Sequence, residues 1–260
     1  MGDNGISDDF DLNLASHVQQ LLFPKSSPYC DWACIGVKNL MARGLGGDYF
    51  DFIAMPDGCQ AVFVGDVTGH GVHASVVMAL LYGYIHRASQ SFCSPIDLVR
   101  EINTFLQSFA RRSAEFDHYF STTLFCASID PLSLRMEYVN AGHPAPLIRR
   151  GTDILSLPAT SAPIGFFDAP EIQSGSFRFH PRDRLLLYTD GITESENPAG
   201  ELFGNEKLQQ VLREKDGDYR NFLRQLFAIR GEFAGAAAPD DDCTAIVIDF
   251  HTPPGGLDAG

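Results

Sequence analysis

Apolar residues in this chain fall into short runs divided by turn residues, interrupted by two pairs of segments with helical spacing. The runs Trp32 to Val37, Asp48 to Ala54 and Gln60 to Val64 predict strands, and Met55-Pro56-Asp57-Gly58 suits a hairpin between the second and third. A helix is predicted from Val72 to Gln90. Another begins at Ser94, whose hydroxyl can cap it, with Pro95 in the first turn. Its Ile96, Val99, Ile102, Phe105, Leu106 and Phe109 recur at helical intervals. Strands resume at Tyr119 to Ile129, Leu134 to Asn140, Pro146 to Arg149, Ile154 to Leu157, Gly175 to Phe179 and Arg184 to Tyr188. Helices follow at Glu206 to Glu214 and Tyr219 to Phe233, then a last strand from Thr244 to Phe250.

Strands therefore come in groups with paired helices between them. This favours an α+β layered domain of antiparallel sheets over a doubly wound parallel sheet. No solenoid repeat or low-complexity linker interrupts residues 11 to 250, so one domain is expected. Ahead of it, residues 1 to 10 read as disordered. Asp11 to Leu22 reads as an amphipathic helix with Leu14, Val18, Leu21 and Leu22 on one side, stopped before Pro24. His251 to Gly260, rich in proline and glycine, reads as a disordered tail.

Four apolar runs meet aspartates beside glycine or another acid: at Asp48 and Asp51, at Asp66, at Asp190, and at Asp240 to Asp242. Buried strands place these carboxylates beside a core. Neighbouring carboxylates repel by roughly 4 kcal/mol per pair at 4 Å in an effective dielectric near 20. Desolvation adds several kcal/mol per ion. Divalent cations compensate such clusters, and all-oxygen ligands favour Mg²⁺ or Mn²⁺ over Zn²⁺. A metal-dependent hydrolase is the reading that follows.

Composition narrows the alternatives. With 19 Lys+Arg against 33 Asp+Glu, the formal charge is −14, which provides no basic field for nucleic acid. Six cysteines in 260 residues are too few for a disulfide scaffold, and Cys30 and Cys34 lack a second pair for a zinc site. The start of the chain has no signal-peptide core, and no stretch approaches the roughly 20 apolar residues of a membrane span. A cytoplasmic location is expected.

Six blocks then give the chain a resemblance. They are Gly46-Gly47-Asp48-Tyr49-Phe50-Asp51-Phe52, Gly65-Asp66-Val67-Thr68-Gly69-His70-Gly71, Tyr138-Val139-Asn140-Ala141-Gly142-His143-Pro144, Leu187-Tyr188-Thr189-Asp190-Gly191-Ile192-Thr193-Glu194, Leu202-Phe203-Gly204 and Asp241-Asp242-Cys243-Thr244. In this order, across residues 12 to 250, they resemble the metal-dependent type 2C (PPM) protein serine/threonine phosphatases, in their bacterial SpoIIE/RsbU-like branch. The resemblance implies a four-layer α-β-β-α sandwich, with two stacked antiparallel sheets flanked by helices and two Mn²⁺ or Mg²⁺ ions at one edge. Residues 25–251 would form the phosphatase domain, 1–24 a tail and a linker or dimerisation helix, and 252–260 a tail.

Carried over to this sequence, Asp66 would touch both ions and the Val67 carbonyl one of them. Asp48, Asp190 and Asp241 would complete the shells, directly or through water. Asp241 is aligned on Asp-Asp-x-Thr, with Asp240 and Asp242 one residue either side. Two such ions would share a water and lower its pKa toward neutrality, so that hydroxide attacks phosphorus without a protein nucleophile. The glycines of the blocks would let the backbone turn beside the ions. Arg43 is the candidate for gripping the substrate phosphate.

Other residues in the blocks have plainer roles. Direct metal ligation by His70 or His73 is not required by a carboxylate set, and His143 reads as a structural histidine in a strand turn. Where some relatives place a histidine two residues after the central aspartate, this chain has Thr68. Asp51 and Glu194 read as supporting or solvated carboxylates, and Cys243 as packed inward. The resemblance implies a phosphorylated regulator of the anti-anti-sigma (STAS) type as substrate, in a partner-switching pathway. The alternatives are a non-catalytic regulator-binding pseudo-phosphatase and a hydrolase of small phosphate esters.

Overall fold

The computed structural model describes residues 4–25, 27–42, 44–112, 120–235 and 239–252, with side chains from residue 11 onward. In chain order the elements are α1 (Asn4–Leu22), β1 (Ala33–Leu40), β2 (Asp48–Ala54), β3 (Gln60–Val67), α2 (Val72–Ala88), α3 (Pro95–Ala110), β4 (Thr122–Asp130) and β5 (Arg135–Ala141). They continue with β6 (Leu147–Arg150), β7 (Asp153–Ser156), β8 (Gly175–Arg178), β9 (Arg184–Tyr188), α4 (Asp190–Thr193), α5 (Gly204–Glu214), α6 (Tyr219–Ala234) and β10 (Cys243–Phe250). One five-stranded sheet runs β1-β10-β9-β6-β7 and the other β2-β3-β4-β5-β8. Every pairing is antiparallel. Helices α2 and α3 pack on the second sheet, α5 and α6 on the first, giving the four layers that the sequence implied.

Period-two alternation explains why the central strands are apolar throughout. In β9, Leu185 and Leu187 join the larger core between the sheets, whereas Leu186 and Tyr188 join the core beneath α5 and α6. Strand β10 repeats this: Ile246, Ile248 and Phe250 face the other sheet, Cys243, Ala245 and Val247 the helices. A strand covered on both faces needs apolar side chains at every position. Strand β2 divides differently. Tyr49 packs at a tilt against Phe63, and Phe63 edge-on against Tyr82 of α2, so the odd positions face the helices. Asp51, of the same parity, accepts from the Tyr82 hydroxyl and contacts His86 Nε2 at 2.8 Å. Asp48, three residues earlier, points the other way, into the space between the sheets.

Several boundaries differ from expectation. Helix α1 begins at Asn4 rather than Asp11. Once Asp11 to Leu22 is helical, extension toward the N-terminus requires no new nucleus. Its expected apolar stripe is not the buried face. Leu14, Val18 and Leu21 are each more than half exposed, while Gln19 is 4% exposed. Polar bonds orient this helix: Ser16 Oγ donates to the Gly44 carbonyl at 2.6 Å, and Gln19 Nε2 donates to the Gly46 carbonyl at 2.7 Å. Ser94 precedes α3 in extended geometry but makes no side-chain cap bond; Pro95 and the helix's apolar face set its start. The tail expected after residue 252 lies outside the described residues. Among the described residues, no helix is long and apolar enough to cross a membrane.

Leu187→Ala, which opens a void between the sheets at a fully buried position, is expected to cost about 2–5 kcal/mol in chemical denaturation. Leu155→Ala on the edge strand β7, at a position 39% exposed, is expected to cost roughly 0.5 kcal/mol or less.

Candidate metal centre

The two sheets bring four chain segments together at one end of the sandwich: the start of β2, the end of β3, the end of β9 and the start of β10. Antiparallel register pairs Asp48 directly with Asp66. Their side chains therefore leave the same face of the sheet side by side, an arrangement that is unfavourable for like charges. Asp190 opens the short helix α4 directly after β9, and Asp241 and Asp242 lead into β10.

Asp48 is held from the opposite sheet. Its Oδ2 accepts from Thr189 Oγ1 at 2.9 Å and from Thr244 Oγ1 at 2.5 Å, and all three side chains are buried. These hydroxyls escaped the sequence reading. Thr189 and Thr244 sit in two of the matched blocks, so a search for donors beside each aspartate would have found them. Asp66 lies across the sheet, and Gly47 leaves the space beside it open. A Cβ on Gly47 would come within 2.8 Å of Asp66 Oδ1 and 2.9 Å of the Val67 carbonyl oxygen. Carboxylate and carbonyl thus point into one small volume that only glycine leaves free.

Electrostatics describe the same cluster. Burial first, then the charges of Asp190, Asp241 and Asp242, push the Asp66 carboxyl up to about 8. Asp48 is raised well above the usual carboxylate range by burial and by Asp66, against the pull of the two threonine hydroxyls. Asp190 is raised by burial, then by Asp241 and Glu194. Asp48, Asp66 and Asp190 are each disfavoured in the charged form by burial and by neighbouring carboxylates, which is the condition a divalent cation relieves.

The three consecutive acids separate by role. Asp242 is 5% exposed, and its Oδ1 accepts from the Ala42 N–H at 2.9 Å, clamping the loop that leads to Asp48. Asp241 is exposed and adds its charge to Asp66 and Asp190. Asp241 Oδ1 accepts from the Asp242 N–H at 2.8 Å. Asp240 is also exposed. Arg43 lies outside the described residues.

The remaining candidates fall into structural places. His143 is 3% exposed; its N–H donates to Asn140 Oδ1 at 2.9 Å, and its Nδ1 is 3.0 Å from Thr123 Oγ1. Burial lowers it to about 3, so the ring is neutral at physiological pH. Thr68 Oγ1 is 2.8 Å from Ser121 Oγ. Asp51 is neither solvated nor beside the cluster: strand parity sends it to Tyr82 and His86. Cys243 is fully buried, pushed up to about 12, with its thiol 3.1 Å from the Gly191 carbonyl.

The donors present are carboxylates and one carbonyl, a set that suits Mg²⁺ or Mn²⁺. Among the described residues, no three His, Cys, Asp or Glu side chains crowd closely enough to cage one ion alone. The hard cations of this class keep several waters and take only one or two carboxylates each. A cavity of about 460 Å³ opens beside Asp190, walled in part by Thr123, His143, Glu194 and Asn205. A larger groove of about 740 Å³, between β1 and α6, contains none of these aspartates.

Comparison with known proteins agrees with this architecture. The SiaA-PP2C domain of Pseudomonas aeruginosa superposes with a TM-score of 0.82 at 19% identity, covering 96% of this chain and 100% of that domain. The fold is thus that of the PP2C-type phosphatase domains. The profile of the Stage II sporulation protein E (SpoIIE) family matches residues 56–251, and the chain belongs to that family. It is 35% identical over 152 residues to the phosphoserine phosphatase RsbP of Bacillus subtilis, covering 58% of this chain and 37% of RsbP. To the phosphoserine phosphatase RsbU of the same organism it is 21% identical over 206 residues, covering 78% of this chain and 59% of RsbU. The chain therefore spans less than two thirds of the length of either relative.

Because its folded pKa lies below the ordinary histidine value of 6.5, His143 contributes stability that is complete above that pH and is lost as pH falls toward about 3. In thermal melts of metal-free protein, His143→Gln is expected to flatten the acid limb between these limits. An unchanged limb would show that the imidazole is not buried neutral.

Proposed function

We propose that this protein is a phosphatase of phosphoserine or phosphothreonine on a regulatory protein, dependent on two Mn²⁺ or Mg²⁺ ions held by Asp48, Asp66, the Val67 carbonyl, Asp190 and Asp241. The observation that carries the reading is the buried Asp48–Asp66 pair beside the space left by Gly47, with Asp190 and Asp241 adding charge to it. Family membership and the names of RsbP and RsbU support the substrate class.

When bound, such ions supply Lewis-acid activation of a water and offset the charge on the phosphoryl oxygens. The chain's own residues set the geometry. Thr189 and Thr244 fix one carboxylate oxygen of Asp48, leaving the other to face the cluster. Asp242 clamps the preceding loop, and Gln19 closes it from α1 by bonding both the N–H and the carbonyl of Gly46. His143, neutral and buried, is not placed to act as an acid toward the leaving alkoxide. The cavity beside Asp190 gives the polypeptide flanking the phosphoresidue a place to lie.

A phosphorylated regulator of the STAS type, handled in the cytoplasm, is the substrate this reading favours, with Arg43 as its phosphate contact. The exposed Leu14 and Val18 on α1, beside Val76 and Leu80 on α2, support pairing of two copies through the N-terminal helix. A docking module without turnover is the competing outcome of the test.

Purified protein is expected to hydrolyse p-nitrophenyl phosphate and a phosphoserine-bearing STAS protein with Mn²⁺, and to stop with chelator. Asp66→Asn should lower kcat by on the order of 10³-fold or more, the scale of removing a principal charge-stabilising group. Its metal-free melting temperature near neutral pH should rise by a few degrees, since the cost of holding that buried carboxyl protonated, when it is ionised in the unfolded chain, is gone. Undiminished turnover in this variant would overturn the assignment.

A further inference from the structure

Arg230, on α6, is the unexpected buried charge near the aspartates. It is 6% exposed, yet none of the ion pairs among the described residues involves it. Instead its Nε donates to Ser195 Oγ at 2.7 Å, and Ser195 Oγ donates to the Gly191 carbonyl at 2.6 Å. The Cys243 thiol reaches the same carbonyl at 3.1 Å. Gly191 follows Asp190 in sequence, and it packs so closely on the Asp242 carbonyl that no Cβ would fit. Arg230, Gly191, Glu194, Asp240 and Asp241 together bound a cavity of about 270 Å³.

Burying a guanidinium costs several kcal/mol unless hydrogen bonds and nearby charge offset it. Here the offset comes from a hydroxyl relay that ends on the Gly191 carbonyl, in the peptide unit one residue beyond Asp190 in the turn of α4. Helix α4 is a single turn and holds few bonds of its own. The Glu194 N–H donates to the Asp190 carbonyl at 2.7 Å, and Ser195 is tied to Gly191. Without the arginine, the Ser195 hydroxyl would lose the partner on α6 that fixes its rotamer toward the Gly191 carbonyl.

We propose that Arg230 is a positioning residue for the acidic centre: acting through Ser195, it fixes the Asp190–Gly191 turn so that Asp190 meets Asp241 and Asp66 at the separation a shared divalent cation requires. This rests on the reading of the cluster as a metal centre. It also predicts a sign. A fixed positive charge beside a cation site opposes cation binding, so an arginine acting by charge alone weakens metal affinity. An arginine that positions a ligand strengthens it.

Calorimetric titration of the full chain with Mn²⁺, beside thermal melts of the metal-free protein, separates these cases. Ser195→Ala and Arg230→Gln are each expected to weaken Mn²⁺ binding about 10–100-fold, the range for residues that orient metal ligands. Arg230→Lys should fall between Arg230→Gln and the parent, and Ser195→Ala should leave the melting temperature within a few degrees. Unchanged affinity in Ser195→Ala, or tighter binding in Arg230→Gln, would overturn the proposal. If Arg230→Gln does not fold, Ser195→Ala decides alone, because it deletes one hydroxyl and keeps the charge. If the parent protein takes up no Mn²⁺ and behaves like Asp66→Asn, the metal centre itself is refuted and the relay with it.

Discussion

Two carboxylates face each other across an antiparallel ladder, Asp48 against Asp66, at the end of two largely apolar strands. Hydrogen bonding of the backbone fixes their separation, and burial keeps water from screening it. Neither side chain can leave without breaking the register of β2 on β3, which is set along seven residue pairs from Asp48–Asp66 to Ala54–Gln60. The repulsion is therefore built into the sheet. The apolar strands behind it supply the stability that tolerates it, as expected of a functional site that carries local strain.

The rest of the molecule can be understood as support for that pair. The first sheet reaches over with Thr189 and Thr244 to satisfy one oxygen of Asp48. Asp242 and Gln19 hold the loop before it from opposite sides, one from the start of β10 and one from α1. Helix α1 is thereby coupled to the glycine turn, and only Leu22 of its expected apolar stripe packs on the core while Leu14, Val18 and Leu21 stay exposed. The coupling gives any rearrangement of α1 a direct mechanical route to Asp48, two residues beyond Gly46.

Much of this was legible in the sequence, for identifiable reasons. The element order and the α+β architecture followed from strand and helix periodicities, because strands buried on both faces have few alternatives. The acidic turns were visible because each aspartate sat where an apolar run ended. Boundaries moved where local signals were weak: the start of α1, the missing Ser94 cap, and α4, whose single turn leaves no periodicity to detect. Asp51 illustrates a different limit. In sequence it belongs to the same block as Asp48, yet a spacing of three along a strand sends it to the opposite face and into the bonds with Tyr82 and His86.

The sequence by itself determined which residues carry charge, which segments are buried and in what order the acidic turns occur, since these depend on composition and short-range periodicity. Only the tertiary structure decided which acids meet. Asp242 is buried with its carboxylate on the Ala42 N–H while Asp241 stays exposed, both charges acting on Asp66, and Arg230 reaches Ser195 across 35 residues of chain. Such choices depend on how two sheets stack and on which side chains the stacking leaves within a few ångströms of each other. No local pattern encodes that, because the partners are distant in sequence and the deciding energies, desolvation and like-charge repulsion, arise only once the sheets have closed on each other.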